Sequence, residues 1–318
     1  MMPDSTVQVC AYWQKGDKIA YDCKYTTVRT DKDSTQTTIR SASETRIFEV
    51  LEATESSYIL QTSYKDVFDS NLSLNAGAEA TNRIAEATVL QTRTNEFAMV
   101  QELVNLDEMV EMMRKNIPTI VDATLAKYDK KELKESGLNR NDMIKGLTEV
   151  ICRPETVVTT CLNDVVPLLT YHGARLALNE EYTVKQQFQS PFPNTKGTME
   201  TDMKFWVDTE MTDSVAVVIR SYAFVDNDQM MPFVREFMIN SYEATTPGNP
   251  DTGDLEKLID KTIAESHMTA CMEEFTVVEI HLASGWPTQW FSTRNVIVET
   301  DEGQTVTTVE KEVVLAEE

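Results

Sequence analysis

Hydrophobic and polar positions change period twice along this chain. Alternating stretches come first, a block of helical spacing follows, and alternation then returns. Ile19, Tyr21, Cys23 and Tyr25 alternate with Ala20, Asp22 and Lys24, the period of a half-buried strand. Similar runs cover residues 46–53 and 57–68, and residues 86–101 predict one more strand. The connections are rich in Asp, Ser and Thr, as in Thr30-Asp31-Lys32-Asp33-Ser34. That is hairpin chemistry, so the first third of the chain reads as an antiparallel meander.

The helical block opens with Asn105 and Glu108 at capping-box spacing. Leu106, Met109, Val110, Met113 and Ile117 follow one face, and Pro118 predicts a kink because it lacks an amide donor. The stripe continues to Tyr128, and a charged stretch over 129–135 ends it. A second helix runs from Asn141 to Cys152. Pro154 suits the first turn of a third, whose apolar face extends from Val157 to Leu169 and which stops at Gly173. Alternation resumes at Arg175 and recurs over 182–188, 202–209 and 214–225. Thr245 to Pro250 reads as a loop, and Leu255, Leu258, Ile259 and Ile263 mark a short helix. Strands over 273–283, 289–299 and 304–315 close the chain, with turns at Ser284-Gly285 and Asp301-Glu302-Gly303.

Segregated runs of strands and helices mean an α+β fold. The strands are long, and long antiparallel strands tend to coil. The expected architecture is a long curved antiparallel sheet, half-barrel-like, covered by a central block of helices. A single domain over 1–318 is expected. It divides into first strands (16–101), helical block (105–173), second strands (175–245), a helix (251–268) and final strands (273–315).

The 318 residues include 52 acidic and 29 basic side chains, a net charge of −23. Nucleic acids and anionic lipid surfaces attract clustered cations, so neither is expected as a partner. No apolar run approaches the roughly 18–20 residues of a membrane span, so no integral span is expected. The five cysteines are too few and scattered for a disulfide scaffold or zinc ribbon. Cys152 and Cys161 would meet only if two helices folded back at Pro154. The N-terminus lacks a basic and then apolar leader pattern. The location is extracytoplasmic if a leader has been removed, and cytoplasmic otherwise.

Candidate chemistry is sparse. His172 ends the third helix, where a cation suits the helix dipole. A Cys161–His172 dyad would span about 16 Å along one helix and fails on reach. His267 and Cys271 lack further ligands for a metal site, and His281 faces away from Ile280 and Leu282. Asp251-Thr252-Gly253 resembles an aspartic-protease triplet but has no second copy, so it reads as a helix cap. Asp226-Asn227-Asp228 lacks the rest of a calcium loop and reads as a hairpin turn. No phosphate loop, dinucleotide fingerprint, nucleophile elbow or zincin helix is present. No catalytic residue, cofactor or metal is therefore expected.

The expected working surface is the turn Trp286-Pro287-Thr288-Gln289-Trp290-Phe291, because exposed aromatic area is costly. Phe192 is expected at a similar edge. Met109 and Met113 offer a soft apolar lining. Trp286, Trp290, Phe291, Phe192, Met109 and Met113 are the expected ligand-binding set, with core filling as the alternative for each group.

Tyr171-His172-Gly173, Leu178 and Gln189-Ser190-Pro191-Phe192-Pro193, with Ser284-Gly285-Trp286-Pro287 before a strand, are similar to motifs of uncharacterised secreted proteins and lipoproteins of Bacteroidetes. The arrangement resembles the lipoprotein-carrier superfamily, whose half-barrel surrounds an apolar cavity for acyl chains. The resemblance implies an extracytoplasmic place and carries over no catalytic residue. Cys10 follows Val7-Gln8-Val9, which is not a lipobox. Three functions follow in order: a non-enzymatic cell-envelope binding protein holding a lipid-like ligand or an acyl-bearing partner, such as a lipid or a lipoprotein, in an apolar concavity; a structural or adhesive surface module acting through protein contacts; and an unrecognised hydrolase. Oligomeric state is left open.

Overall fold

The computed structural model describes residues 5–70, 84–126, 139–245 and 252–316. Its centre is an antiparallel pair made by strands far apart in sequence. β2 (Lys18–Thr30) pairs with β13 (Gly303–Leu315), placing Tyr25 opposite Lys311 and Cys23 opposite Val313. From β2 the sheet grows outward through successive hairpins: β3 (Gln36–Ala53), β4 (Ser57–Asp69), β5 (Val89–Asn95) and β6 (Val100–Leu103). From β13 it grows the other way through β12 (Pro287–Thr300), β11 (Thr269–His281), β10 (Ala216–Val225), β9 (Thr198–Val207) and β8 (Glu181–Gln189). The result is an open sheet of eleven strands, antiparallel at every pairing, with β6 and β8 as its edges.

The turns follow from their residues. At the β2–β3 tip, the Asp33 carboxylate accepts from the Thr35 amide at 2.9 Å and Ser34 adopts φ 66°. At the β3–β4 tip, Thr54 and Ser57 exchange side-chain and backbone bonds. β3 is 18 residues long, far beyond the usual five or six, and carries irregularities at Ser43/Thr45 and Val50/Glu52.

Helices cover one face. α1 (Leu106–Leu125), α2 (Arg140–Ile151), α3 (Pro154–Leu162) and the single turn α4 (Val166–Leu169) take the chain from the β6 edge toward the β8 edge. Met109, Val157 and Cys161 of α1 and α3 pack on Tyr64, Leu90 and Leu103 of the sheet. On the other wing lie α5 (Asn227–Thr245) and α6 (Thr252–Glu265). Met230 and Val234 of α5 pack on Phe188, Met199, Met272 and Val296. Between these, Val165, Leu168 and Leu169 join Tyr21, Phe48, Leu60, Ile219 and Val278 in the largest core.

That core also takes up the N-terminal segment. β1 (Thr6–Gln8) pairs with β7 (Arg175–Ala177), and the chain beyond it exchanges backbone bonds between Val9 and residues 173–174. Val7, Val9, Ala11 and Trp13 are all buried, an alternation that the sequence reading passed over.

Three expectations are corrected, and one question left open is answered. Residues 86–101 do not hold one strand, because Asn95 turns the chain by accepting from the amides of Phe97 and Met99, which makes the β5–β6 hairpin. The third helix is broken at residues 163–165, since Pro167 offers no amide to continue it and Asp164 turns toward the sheet. Asp226-Asn227-Asp228 is no hairpin turn. Asp226 accepts from the Gln229 amide at 3.1 Å and starts α5, whose stripe of Met230 and Val234 was missed. Cys152 and Cys161 are both free thiols, buried in different clusters. The expected loop over 245–250 and cap at Asp251 fall almost wholly outside the described residues, as does the stretch at 129–135.

Candidate functional site

The six residues expected to bind ligand do not converge. Trp286 and Trp290 are 8% and 9% exposed and belong to the largest core. Trp286 stacks on Trp13 with ring centres 4.0 Å apart. Phe291 is next in sequence to Trp290, so strand alternation turns it to the face that carries no helices. Phe192 stacks on Phe237 of α5 at 5.6 Å, in the second core. Met109 is buried beneath α3, and Met113 is half-buried between α1 and its neighbours. Five of the six therefore fill or flank packed cores.

The two motifs flagged in the sequence do meet. His172 Nε2 donates to the Gly285 carbonyl at 2.7 Å, and the Tyr12 amide donates to the Ser284 carbonyl at 3.1 Å. Gly285 has φ 76°, and a Cβ there would lie 2.1 Å from the Cys10 carbonyl oxygen. Only glycine allows the N-terminal segment to pass so close. The motifs form a clamp on residues 9–13, with a structural role. His172 is buried and neutral. Burial pushes its pKa down to about 4, against the partial lift of its bonds to Gly285 and Leu169. It is not the dipole-stabilising cation expected from its place after a helix. His281 bonds Ser284 through Nδ1 at 2.9 Å, and His267 pairs with Asp301 at 2.8 Å on the surface. Among the described residues, no group of three metal-ligating side chains comes together.

The helix-bearing face is not covered everywhere. Along the seam, inward positions of β13 are Thr305, Thr307, Val309 and Lys311. Those of β2 are Tyr25, Thr27 and Arg29, and those of β12 are Arg294, Val296 and Val298. Thr305, Thr307, Val309, Thr27 and Val298 are half-exposed, so they form the floor of a trough between the two helical covers. From Lys311 to Thr305 the trough is about 20 Å long at the rise of a strand. Its outer end opens into a depression of about 470 Å3 lined by the charged Arg29, Asp31, Lys32, Asp33 and Glu302 as well as by Val298 and Thr305.

The inner end is charged. Arg46, 2% exposed, bonds Tyr25 and Glu44 and reaches Asp164 at 3.1 Å, while the Tyr64 hydroxyl donates to Asp164 at 2.8 Å. This network ties the break between α3 and α4 to the sheet. Beside it, Arg294 pairs with Glu274 at 2.5 Å and lies over the Phe188 ring. Arg40 donates to the buried Asp69 at 3.1 Å. Lys311 stands between them and has no ion-pair partner among the described residues. Lys311 is exposed to solvent, as a side chain standing in an open trough would be. Burial and the Arg294 charge lower its pKa, Arg40 adds to that, and Glu274 and Asp164 partly oppose it.

Sequence reasoning missed Lys311, Arg294 and Arg40. A signal was present: Lys311 shares a strand face with Val309 and the buried Val313, which breaks the apolar alternation of β13.

No family model matches this chain, and no curated protein is similar to it. Among solved structures, one on lipid–protein interactions in lipovitellin aligns with 96% of this chain at 8% identity and a TM-score of 0.43. The chain spans 25% of lipovitellin's length. The outer membrane protein OprG of Pseudomonas aeruginosa aligns over 97% of both chains at 5% identity, with a TM-score of 0.16. The outer membrane protein OmpT of Vibrio cholerae aligns over 94% of this chain and 72% of its own at 9% identity, with a TM-score of 0.19. Among the described residues, no helix is long and apolar enough to cross a membrane. The chain is thus an eleven-stranded open antiparallel sheet with helices on one face, and scores this low assign it to no family.

Proposed function

We propose that this chain is a non-enzymatic binding protein of the cell envelope, taking a lipid-like ligand or an acyl-bearing partner on the helix-bearing face of a half-barrel sheet. The supporting observation is the open trough along the β2–β13 seam. Its floor of Val and Thr side chains is half-exposed although helices pack on both sides of it. Leaving such surface in water forgoes about 25 cal/mol per Å2 of apolar area, which a bound chain recovers. The trough replaces the aromatic turn as the binding surface, because Trp286 and Trp290 are committed to the core. The test is organic extraction of protein produced with access to envelope lipids, followed by mass spectrometry. Stoichiometric lipid is expected, reduced in Val309→Asp. A clean extract from correctly folded protein sinks this reading.

One observation favours a protein-contact role instead. On the uncovered face, register places Tyr222 beside Phe275, and Val277 beside Phe291. Tyr222 and Phe224 are 36% and 44% exposed. Apolar clusters of this kind mark contact surfaces. Concentration-dependent dimerisation, abolished by Phe224→Ser, would move the assignment there.

A further inference from the structure

We propose that Lys311, with Arg294 and Arg40, seats the anionic group of the ligand, a carboxylate or a phosphate, at the inner end of the trough. The proposal rests on the trough being a ligand site and names the chemistry of what it takes.

Register fixes the geometry. Arg294, Val309, Thr27 and Arg40 stand in one row across β12, β13, β2 and β3. The two arginine backbones are therefore about 14 Å apart, three strand spacings. Lys311 projects from the next row, between Ser292 and Tyr25. Arg294 and Arg40 rise from the two ends of this row, and Lys311 rises beside its middle.

Charge pairing then separates the three. Arg294 is held by Glu274 and Arg40 by Asp69, so each already has a carboxylate. Glu44 and Asp164 are engaged by Arg46. Of these four cations, Lys311 is the one that makes no ion pair among the described residues. A lysine beside two guanidinium groups, with no ion-paired carboxylate among the described residues, gains when an anion arrives. The lowered pKa of Lys311 agrees with that direction. The carboxylates on Arg294 and Arg40 also hold those side chains in place, so the seat is preorganised. A ligand with its anion there would extend its chain along the Val and Thr floor toward the depression at the hairpin tips.

The experiment is titration calorimetry on the full chain with three probes below micelle-forming concentration: dodecyl phosphate, dodecyl glucoside and inorganic phosphate. Dodecyl phosphate is expected to bind most tightly. Lys311→Gln should weaken it by at least about tenfold, and Lys311→Arg should keep most of the affinity. Arg40→Gln, at an exposed arginine, provides a second and independent loss. Equal affinity of dodecyl phosphate for wild type and Lys311→Gln overturns the seat while leaving the trough. Inorganic phosphate binding as tightly as dodecyl phosphate, with the same dependence on Lys311, keeps the seat and overturns the acyl-chain reading. No binding of any probe overturns both. Lys311 makes no ion pair among the described residues, so thermal unfolding of the Gln variant should match wild type and exclude a folding defect.

Discussion

His172 carries a pH dependence into the stability of the whole clamp. Its imidazole is neutral and buried when folded, with a pKa lowered to about 4, and titrates near 6.5 when unfolded. Between these values the unfolded chain binds the extra proton. Stability is therefore full above pH 6.5 and falls as pH drops toward 4, by about 1.4 kcal/mol per unit and roughly 3 kcal/mol in all. His172→Gln keeps a donor for the Gly285 carbonyl and removes the titration. Denaturant midpoints measured across that window should be flatter in the variant, and an unchanged slope would refute the assignment. At the same clamp, Trp286 stacks on Trp13 inside the core, so Trp286→Ala should cost about 3–5 kcal/mol of folding stability. Equilibrium unfolding decides between that and the surface role suggested by its sequence neighbourhood. A loss below about 1 kcal/mol would mean that the ring is not packed as described.

Among the elements, Asp164 is the joint on which the helical cover is fastened. It sits in the break between α3 and α4 and serves both Arg46 and Tyr64. Asp164→Ala leaves a buried guanidinium with fewer acceptors and should cost about 2 kcal/mol, since Asp164 itself is partly solvated. Hydrogen exchange should quicken in α4 while β10 to β12 stay protected. Uniform acceleration would show that the joint does not act locally. This break also marks the limit of reading elements from sequence. The long strands, α1, α2 and α6 announce themselves by period, because each buries one continuous face. The α3–α4 break does not, since Val157, Cys161, Val165 and Leu168 keep helical spacing across it. Helix α5 hides because its first residues look like a turn and its stripe is built of methionines. The trough was illegible for another reason. It exists only where β2, β3, β12 and β13 lie side by side, and no local pattern reports which strands become neighbours. The aromatic turn drew attention instead, because cores and ligand sites want the same side chains.

Across the whole molecule, the net charge of −23 acts on stability more than any single ion pair. Several pairs, such as Lys185–Asp202 and Lys204–Glu181, join exposed side chains and contribute little each. Repulsion among the surplus carboxylates is screened by salt, so the melting temperature should rise between about 0.01 M and about 0.15 M ionic strength. A fall would mean that the attractive pairs outweigh the surplus. The topology has a kinetic counterpart. Tyr21 donates to the Pro287 carbonyl across 266 residues, and non-local pairing of this kind folds slowly.

The partnership of β2 and β13 also bears on the life of the chain at the ribosome. A polypeptide halted between Thr300 and Gly303 has no seam and no Lys311. It presents β2 and β12 as bare edges instead, ready to pair with whatever strand they meet. The join between the two halves of the sheet therefore forms only in chains synthesised through β13.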